Sequence, residues 1–352
     1  MKKEEPKVTV VTVTFNLIKD GREKFFRQCV ESVHNQTYKN IEHIIQDGAS
    51  TDGTIDLIKE YADKGWCKLF CEKDKGINDA YNKAIKNSSG KYVFFMNSDD
   101  YYFDENAIEN CVSRMEKENA DYCYGEEKRF ERDGKFISKW SPKPEVFWIT
   151  MPWSHQTMGV KLNVLKKIGN YADELSFGAD FPLIQQLILN DYKGVEIPEV
   201  ISAYRIGGIS SAKGDLLKNY QTIFVMSKNL MNFSLNFYPN ISLDECRKII
   251  CGCHPGNVNV FPPYYRERLI DYLVSKNLKF MDYNKVISCI NSYAIYDTGY
   301  FTNLKQIPFH SPKTKLYISL FSFLPILKIK YSYNKSKIYF CGIPILRIKK
   351  KG

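Results

Sequence analysis

The sequence predicts an α/β fold: a mainly parallel β-sheet with helices on both faces, built by residues 1–212. Three observations carry this. Residues 8–15, ValThrValValThrValThrPhe, are β-branched and nearly continuous in hydrophobicity, as in a strand buried on both faces. Strand-like and helix-like segments then alternate as far as residue 96, which is the pattern of βαβ units. Polar and acidic residues gather just after the strand-like segments, where parallel sheets bind ligands.

The elements follow in order. Phe25, Phe26, Cys29, Val30 and Val33 recur at helical spacing within 22–36. Ile41 to Ile45 is the second strand. Gly53 to Asp63 is a helix with Ile55, Ile58, Tyr61 and Ala62 on one stripe. Trp66 to Cys71 is the third strand, Ile77 to Lys86 a helix through Ala80, Tyr81 and Ala84, and Tyr92 to Met96 the fourth strand. Glu105 to Lys117 reads as a helix, Tyr122 to Tyr124 and Arg129 to Ser138 as strands, and the proline-rich 142–153 as a loop holding Trp148 and Trp153. Ala179 to Asn190 is a helix opened by Asp180 and Pro182. Proline suits a first helical turn, where its missing N–H would have no partner anyway. After Gly208 the sheet pattern stops, and 215–300 read as short helices. The expected domains are therefore 1–212, a helical extension at 213–310 and a tail at 311–352.

The chain has 352 residues, 50 of them basic and 40 acidic, for a net charge of +10. Ten basic residues and no acidic ones fall in 311–352, so the rest of the chain is electrically balanced. A neutral body argues against a nucleic-acid enzyme, whose basic footprint belongs on the working face. The tail repeats itself. Phe321 to Lys330 and Phe340 to Lys349 align at an offset of 19 residues, Pro325 on Pro344. After each proline, apolar and basic residues alternate, which puts bases on one face of an extended segment. Such a tail fits the anionic surface of a membrane. No apolar leader precedes Val8, no apolar run reaches the length of a membrane span, and the ten cysteines form no CxxC pair. The expectation is a reduced, cytoplasmic protein, peripheral on the inner face of the membrane through its tail.

Chemistry concentrates at the strand ends. Strand one ends in Thr14-Phe15-Asn16, strand two in Asp47-Gly48 through Asp52-Gly53, strand three in Asp74-Lys75-Gly76, and strand four in Asn97-Ser98-Asp99-Asp100. Each acid alone reads equally well as a turn or a helix cap. Together at the ends of one sheet they suit a hard divalent cation, Mn²⁺ or Mg²⁺, bridging to substrate phosphates. No GxGxxG or Walker A loop follows strand one. Phe15 can stack on a base, and Asp47 can accept from a uracil N–H. Cys251-Gly252-Cys253-His254 is half a zinc pattern without its second half and reads as structural.

These landmarks resemble a family. ValThrPheAsn at 13–16, AspGlyAlaSerThrAspGlyThr at 47–54, AspLysGlyIleAsnAspAlaTyrAsnLysAlaIle at 74–85 and AsnSerAspAsp at 97–100 are similar to the N-terminal half of a GT-A glycosyltransferase of family 2. SerHisGln at 154–156, GlyAlaAsp at 178–180 and GlyGlyIleSer at 207–210 extend the likeness to about residue 212. The likeness is closest to members that build bacterial surface polysaccharides such as capsule and lipopolysaccharide. It implies a Rossmann-like GT-A sheet and a metal-dependent, inverting hexosyl transfer from a nucleotide-sugar, with a UDP-sugar as the expected donor, to a glycan or lipid-linked glycan. It places Asp47 and Phe15 at the base, Asp99 at the ribose and metal, Asp100 at the metal, and Asp180 as general base. The motif's usual first acid is Asn97 here, which leaves the main ligand open between Asp99 and Asp100. Arg205 is the candidate for the diphosphate and His155 for the acceptor, each with a plain packing role as the alternative. The competing functions are a nucleotidyltransferase, disfavoured by Phe15-Asn16-Leu17-Ile18 in place of a glycine-rich loop, and an inactive transferase-like scaffold, disfavoured by the intact acids.

Overall fold

The computed structural model describes residues 5–148, 151–171, 179–208, 263–292, 327–332, 335–340 and 343–349. The chain divides into two compact units, Met1–Tyr296 and Asp297–Gly352.

In the first unit the opening run forms β1 (Val8–Thr14), every residue of which is buried. It is followed by α1 (Glu23–His34), β2 (Ile41–Asp47), α2 (Thr54–Ala62), β3 (Lys68–Cys71), α3 (Ile77–Asn87) and β4 (Tyr92–Phe95). The order across the sheet is β3-β2-β1-β4, all parallel. The chain places β2 and β3 on one side of β1 and β4 on the other. The switch point therefore lies between the carboxyl ends of β1 and β4, where an open α/β sheet leaves a crevice for ligands. Leu57 rather than Ile55 completes the buried stripe of α2.

Beyond β4 the sheet turns mixed. β5 (Tyr101–Tyr102) and α4 (Ala107–Glu118) lead into β6 (Tyr122–Phe130) and β7 (Phe136–Trp140). The span Arg129 to Ser138 is thus the tip of an antiparallel hairpin and not one strand, because Asp133-Gly134 turns the chain there and Gly134 has φ +93°. β8 (Gly159–Lys161), α5 (Leu162–Ile168), α6 (Asp180–Leu189) and β9 (Gly194–Arg205) complete this part. β8 pairs antiparallel with both β4 and β6, and β9 runs parallel to β6. β8 can lie against β4 only because residue 159 is glycine: a Cβ there would sit 2.4 Å from the Phe94 ring.

Two apolar clusters cover the sheet. Val11, Ile44, Phe95, Ala84 and Leu187 lie in one, and Val10, Phe94, Ile108 and Val112 in the other. Two further helices, α7 (Pro263–Lys276) and α8 (Tyr283–Ser292), pack Leu269, Leu273, Val286 and Ile290 against Phe147 and Trp148. The described residues of the expected loop, 142–148 and 151–153, form no strand or α-helix and hold a short 3-10 turn at Pro144–Val146.

Glu42 fastens the far end of the sheet. Its carboxylate accepts from Lys68 at 2.7 Å, Thr9 at 2.9 Å, the Ser89 N–H at 3.0 Å and Lys7 at 3.2 Å. Burial pushes its pKa up, but these bonds outweigh burial and hold it at about 2, against an ordinary 4.5. The stabilisation is therefore complete above pH 4.5 and fades as pH falls toward 2. Glu42→Ala should cost about 2 kcal/mol at pH 7, less than a fully buried pair because both lysines reach water. Urea titrations at pH 7 and pH 3 should show the deficit narrowing in acid.

The second unit contains a three-stranded antiparallel sheet of β10 (Leu327–Ser332), β11 (Lys335–Phe340) and β12 (Ile343–Lys349). The two copies of the repeat supply the outer strands. The register sets Lys330 opposite Lys337, Lys337 opposite Arg347, and Lys335 opposite Lys349. The remaining residues of 209–262 and 293–326, including Cys251 to His254, lie outside the described residues.

Candidate active site

The loops after β1 and β2 are tied to each other. Asn16, in the left-handed region at φ +47°, donates its N–H to Ser50 Oγ at 2.8 Å and accepts from the Thr51 N–H at 3.1 Å. The Leu17 N–H reaches Thr54 Oγ1 at 2.8 Å, and the Lys19 N–H reaches Asp52 at 2.7 Å. Asp52 thus belongs to the scaffold. This bracing leaves Phe15 55% exposed at the rim of the crevice.

Asp47 is fully buried. Thr14 Oγ1, the Ser50 N–H and Ser50 Oγ each donate to it at 2.7 Å. Its carboxylate shapes the loop from beneath. The acid that faces Phe15 is Asp74, which the sequence reading quoted within its motif without assigning it a role. A Cβ on Gly48 would lie 2.5 Å from Asp74 Oδ2 and 3.1 Å from the Phe15 ring. Gly48 is therefore the floor of a slot between an aromatic ring and a carboxylate. Burial, opposed by the Gly76 N–H at 2.9 Å, raises the Asp74 pKa.

Asp99 and Asp100 differ sharply. Asp100 is 1% exposed and accepts from the Arg205 N–H and Gln156 Nε2, each at 2.7 Å, and from Asn97 Nδ2 at 3.1 Å. Asp99 is only half-buried, and a Cβ on Gly208 would stand 3.4 Å from its Oδ2. Burial raises the Asp99 pKa, while the charges of Arg22, Arg205 and Arg132 lower it. The one accessible carboxylate is a hard oxygen ligand of the kind that Mg²⁺ or Mn²⁺ takes when substrate phosphates complete its shell, while the three guanidinium groups bring positive charge of their own. Among the described residues, no group of three or more His, Cys, Asp or Glu side chains converges on one cation position.

Arg205 is 8% exposed. It donates to the Asp99 carbonyl and to Gln28 Oε1, and its guanidinium stacks over Phe25 and Tyr101. It fixes the Asp99 backbone. His155 is 6% exposed, stacks on Phe95 at 4.6 Å and bonds to the Tyr171 hydroxyl. Burial drives its pKa down to about 3, so the ring is neutral.

Asp180 is the first residue of α6, and Oδ1 accepts from the Phe181 N–H at 3.0 Å. Its place in the first turn gives the carboxylate favourable helix-dipole stabilisation, yet burial raises its pKa. Gly178, the first residue of its motif, lies outside the described residues, as do Ile209 and Ser210. Tyr81 links the acids. Its hydroxyl donates to Asn97 Oδ1 at 2.6 Å. Burial first, then the charges of Asp180, Asp100 and Asp99, push that hydroxyl well above its ordinary pKa. Acids from two distant stretches of sequence thus bear electrostatically on one phenol.

The model of glycosyl transferase family 2 matches residues 9–167. An uncharacterized glycosyltransferase of Methanocaldococcus jannaschii is 27% identical over 249 residues, covering 67% of this chain and 84% of that protein. The UDP-Glc:alpha-D-GlcNAc-diphosphoundecaprenol beta-1,3-glucosyltransferase WfaP of Escherichia coli is 38% identical over 120 residues, covering 33% of this chain and 46% of its own. The crystal structure of S. aureus TarS 1–349 in complex with UDP-GlcNAc superposes with a TM-score of 0.52 at 16% identity, over 96% of this chain and 99% of that one. At that identity the superposition speaks for the fold.

Proposed function

We propose, from the premise that the chain is a glycosyltransferase of family 2 through residues 9–167, that it moves a hexosyl group from a UDP-sugar to a hydroxyl of a glycan or lipid-linked glycan, with inversion. The observation that carries the reading is the placement of Asp99 and Asp100 just after β4, beside the switch point of the sheet, with Asp100 pinned by Gln156 and the Arg205 N–H. UDP as carrier is supported by the Phe15 ring and the Asp74 carboxylate, which flank Gly48, and by the UDP-Glc in the name of WfaP and the UDP-GlcNAc bound in TarS. The lipid-linked acceptor and the assembly of a surface polysaccharide rest on the WfaP likeness.

Phe15 stacks on the base, and Asp74 accepts from its edge while Asp47 holds the loop in shape. Asp99 is the residue that would hold Mn²⁺ or Mg²⁺ and contact the ribose, with Asp100 and Arg205 keeping it in place. When bound, the ion supplies positive charge against the leaving diphosphate. Asp180 takes the proton of the acceptor hydroxyl as that oxygen attacks the anomeric carbon, and the bond to the diphosphate breaks on the opposite face. His155 serves the acceptor side by fixing Tyr171. Incubation with UDP-Glc, UDP-Gal, UDP-GlcNAc and UDP-GalNAc plus Mn²⁺ should release UDP slowly by hydrolysis. Release of pyrophosphate, or of nothing, would sink the reading.

The tail is proposed to hold the enzyme on an anionic membrane. Support comes from the register, which sets like charges opposite one another across β10, β11 and β12; such pairs are destabilising unless an anion lies against them. No described helix is long and apolar enough to cross a membrane. Vesicles with anionic lipid should sediment the full chain, less so as salt rises. Replacing Lys328, Lys330, Lys335, Lys337 and Arg347 together by glutamine should release it.

A further inference from the structure

Asp100 is held by a chain of buried polar groups that reaches outside the donor site. Gln156 Nε2 donates to Asp100 Oδ2 at 2.7 Å. The other end of that amide, Oε1, lies 2.7 Å from Ser154 Oγ. Ser154 Oγ in turn lies within hydrogen-bond reach of Glu127 Oε2. All four side chains are buried: Glu127 and Asp100 are 1% exposed, and Ser154 and Gln156 are each 5% exposed.

Counting hydrogens orients the chain. The amide nitrogen of Gln156 faces Asp100, so its oxygen faces Ser154 and must receive a proton from it. Ser154 has one hydroxyl hydrogen. Once that is given to Gln156, Ser154 can meet Glu127 only as an acceptor. An ionised Glu127 would set two acceptor oxygens against each other in a buried site, at a cost that buried polar groups rarely carry.

We propose that Glu127, carrying a proton on Oε2, is a positioning residue for the donor site: it donates to Ser154, Ser154 donates to Gln156, and Gln156 fixes Asp100 beside Asp99. The proposal rests on the reading of Asp99 as the donor-side carboxylate. Arg129 is compatible with a neutral Glu127. Its Nε donates to Oε1 at 3.0 Å and leaves Oε2 free, while the guanidinium stacks 4.4 Å over Trp140. Burial raises the Glu127 pKa against the lowering influence of Ser154 and Arg129. Glu127 and Asp100, at the far end of the chain, oppose each other's ionisation, and burial together with the Asp99 charge raises the Asp100 pKa as well.

Two measurements on the full chain test this. Infrared spectra of protein carrying ¹³C-labelled glutamate at neutral pH should contain the C=O stretch of a protonated carboxylic acid, absent from Glu127→Gln. No such band in the wild type overturns the proposal whatever the substrate is. Metal-dependent UDP binding should be unchanged in Glu127→Gln, whose amide still donates to Ser154 and accepts from Arg129. It should weaken about tenfold in Glu127→Ala and in Ser154→Ala, the equivalent of one hydrogen bond, and no further in the double variant. Equal losses from the glutamine and alanine variants remove the neutral carboxyl; additive losses in the double variant remove the chain. If the wild type binds no UDP, the donor reading and this role for Glu127 both fall, while the infrared band still reports the proton.

Discussion

Asp180→Asn is expected to lower sugar transfer by about 10²–10⁴-fold while UDP binding stays at the wild-type level. The amide keeps the shape of the carboxylate and its bond from the Phe181 N–H, and loses only the ability to take a proton. The same substitution should leave the melting temperature at neutral pH unchanged or raised. Burial raises the Asp180 pKa in the folded protein, so the fold favours the neutral carboxyl. That contribution is full at low pH and lost as pH rises through the folded pKa, whereas an amide never ionises. The wild-type rate should fall on the acid side at a pH above the ordinary aspartate range. Transfer assays across pH, with calorimetry on both proteins, check all three outcomes. Near-normal transfer by the variant would remove Asp180 from the mechanism.

Asp99→Ala should abolish metal-dependent UDP binding and reduce transfer by about 10²-fold or more, because the accessible carboxylate is the one that meets the ion and the leaving diphosphate. Asp100→Asn should be milder, about 10–100-fold in metal affinity, since Asp100 acts by holding its neighbour. EDTA should silence the wild type and Mn²⁺ or Mg²⁺ restore it. Titration calorimetry with UDP, with and without Mn²⁺, separates the two substitutions. Equal effects at both positions would contradict the division of labour drawn from their hydrogen bonds.

The first four strands were legible because each has one dominant local signal. β1 is an unbroken β-branched run, and α1 and α3 bury their residues at the predicted spacing. β9 was not legible, since Glu196, Pro198 and Glu199 interrupt any strand pattern and the register is shifted there. β8 is three residues long, too short for any periodicity. At the site, sequence located the strand ends that carry the chemistry, because topology puts ligand crevices there. It did not separate Asp99 from Asp100, whose difference is made by Gln156 and the Arg205 backbone, 56 and 105 residues away. It gave Arg205 and His155 each a ligand role and a packing role, of which their burial bears out the packing, and it passed over a role for Asp74, which lies with Phe15 around Gly48 from a different strand. The available signal was the acid that opens the AspLysGly turn after strand three.

Gly159 matters to anyone who sets out to retarget this enzyme. The segment 141–157 leaves the β6–β7 hairpin and returns to the sheet at β8, carrying Ser154 and Gln156 to Asp100 on the way. At its return point a Cβ on residue 159 would sit 2.4 Å from the Phe94 ring, so even a methyl group would force the two strands apart. Randomised libraries or loop grafts across this segment should therefore hold residue 159 constant. With that anchor kept, surface positions of the loop can be exchanged for those of another transferase. With it lost, clones should fail together, through a strand pushed off its neighbour, before any new specificity can be selected.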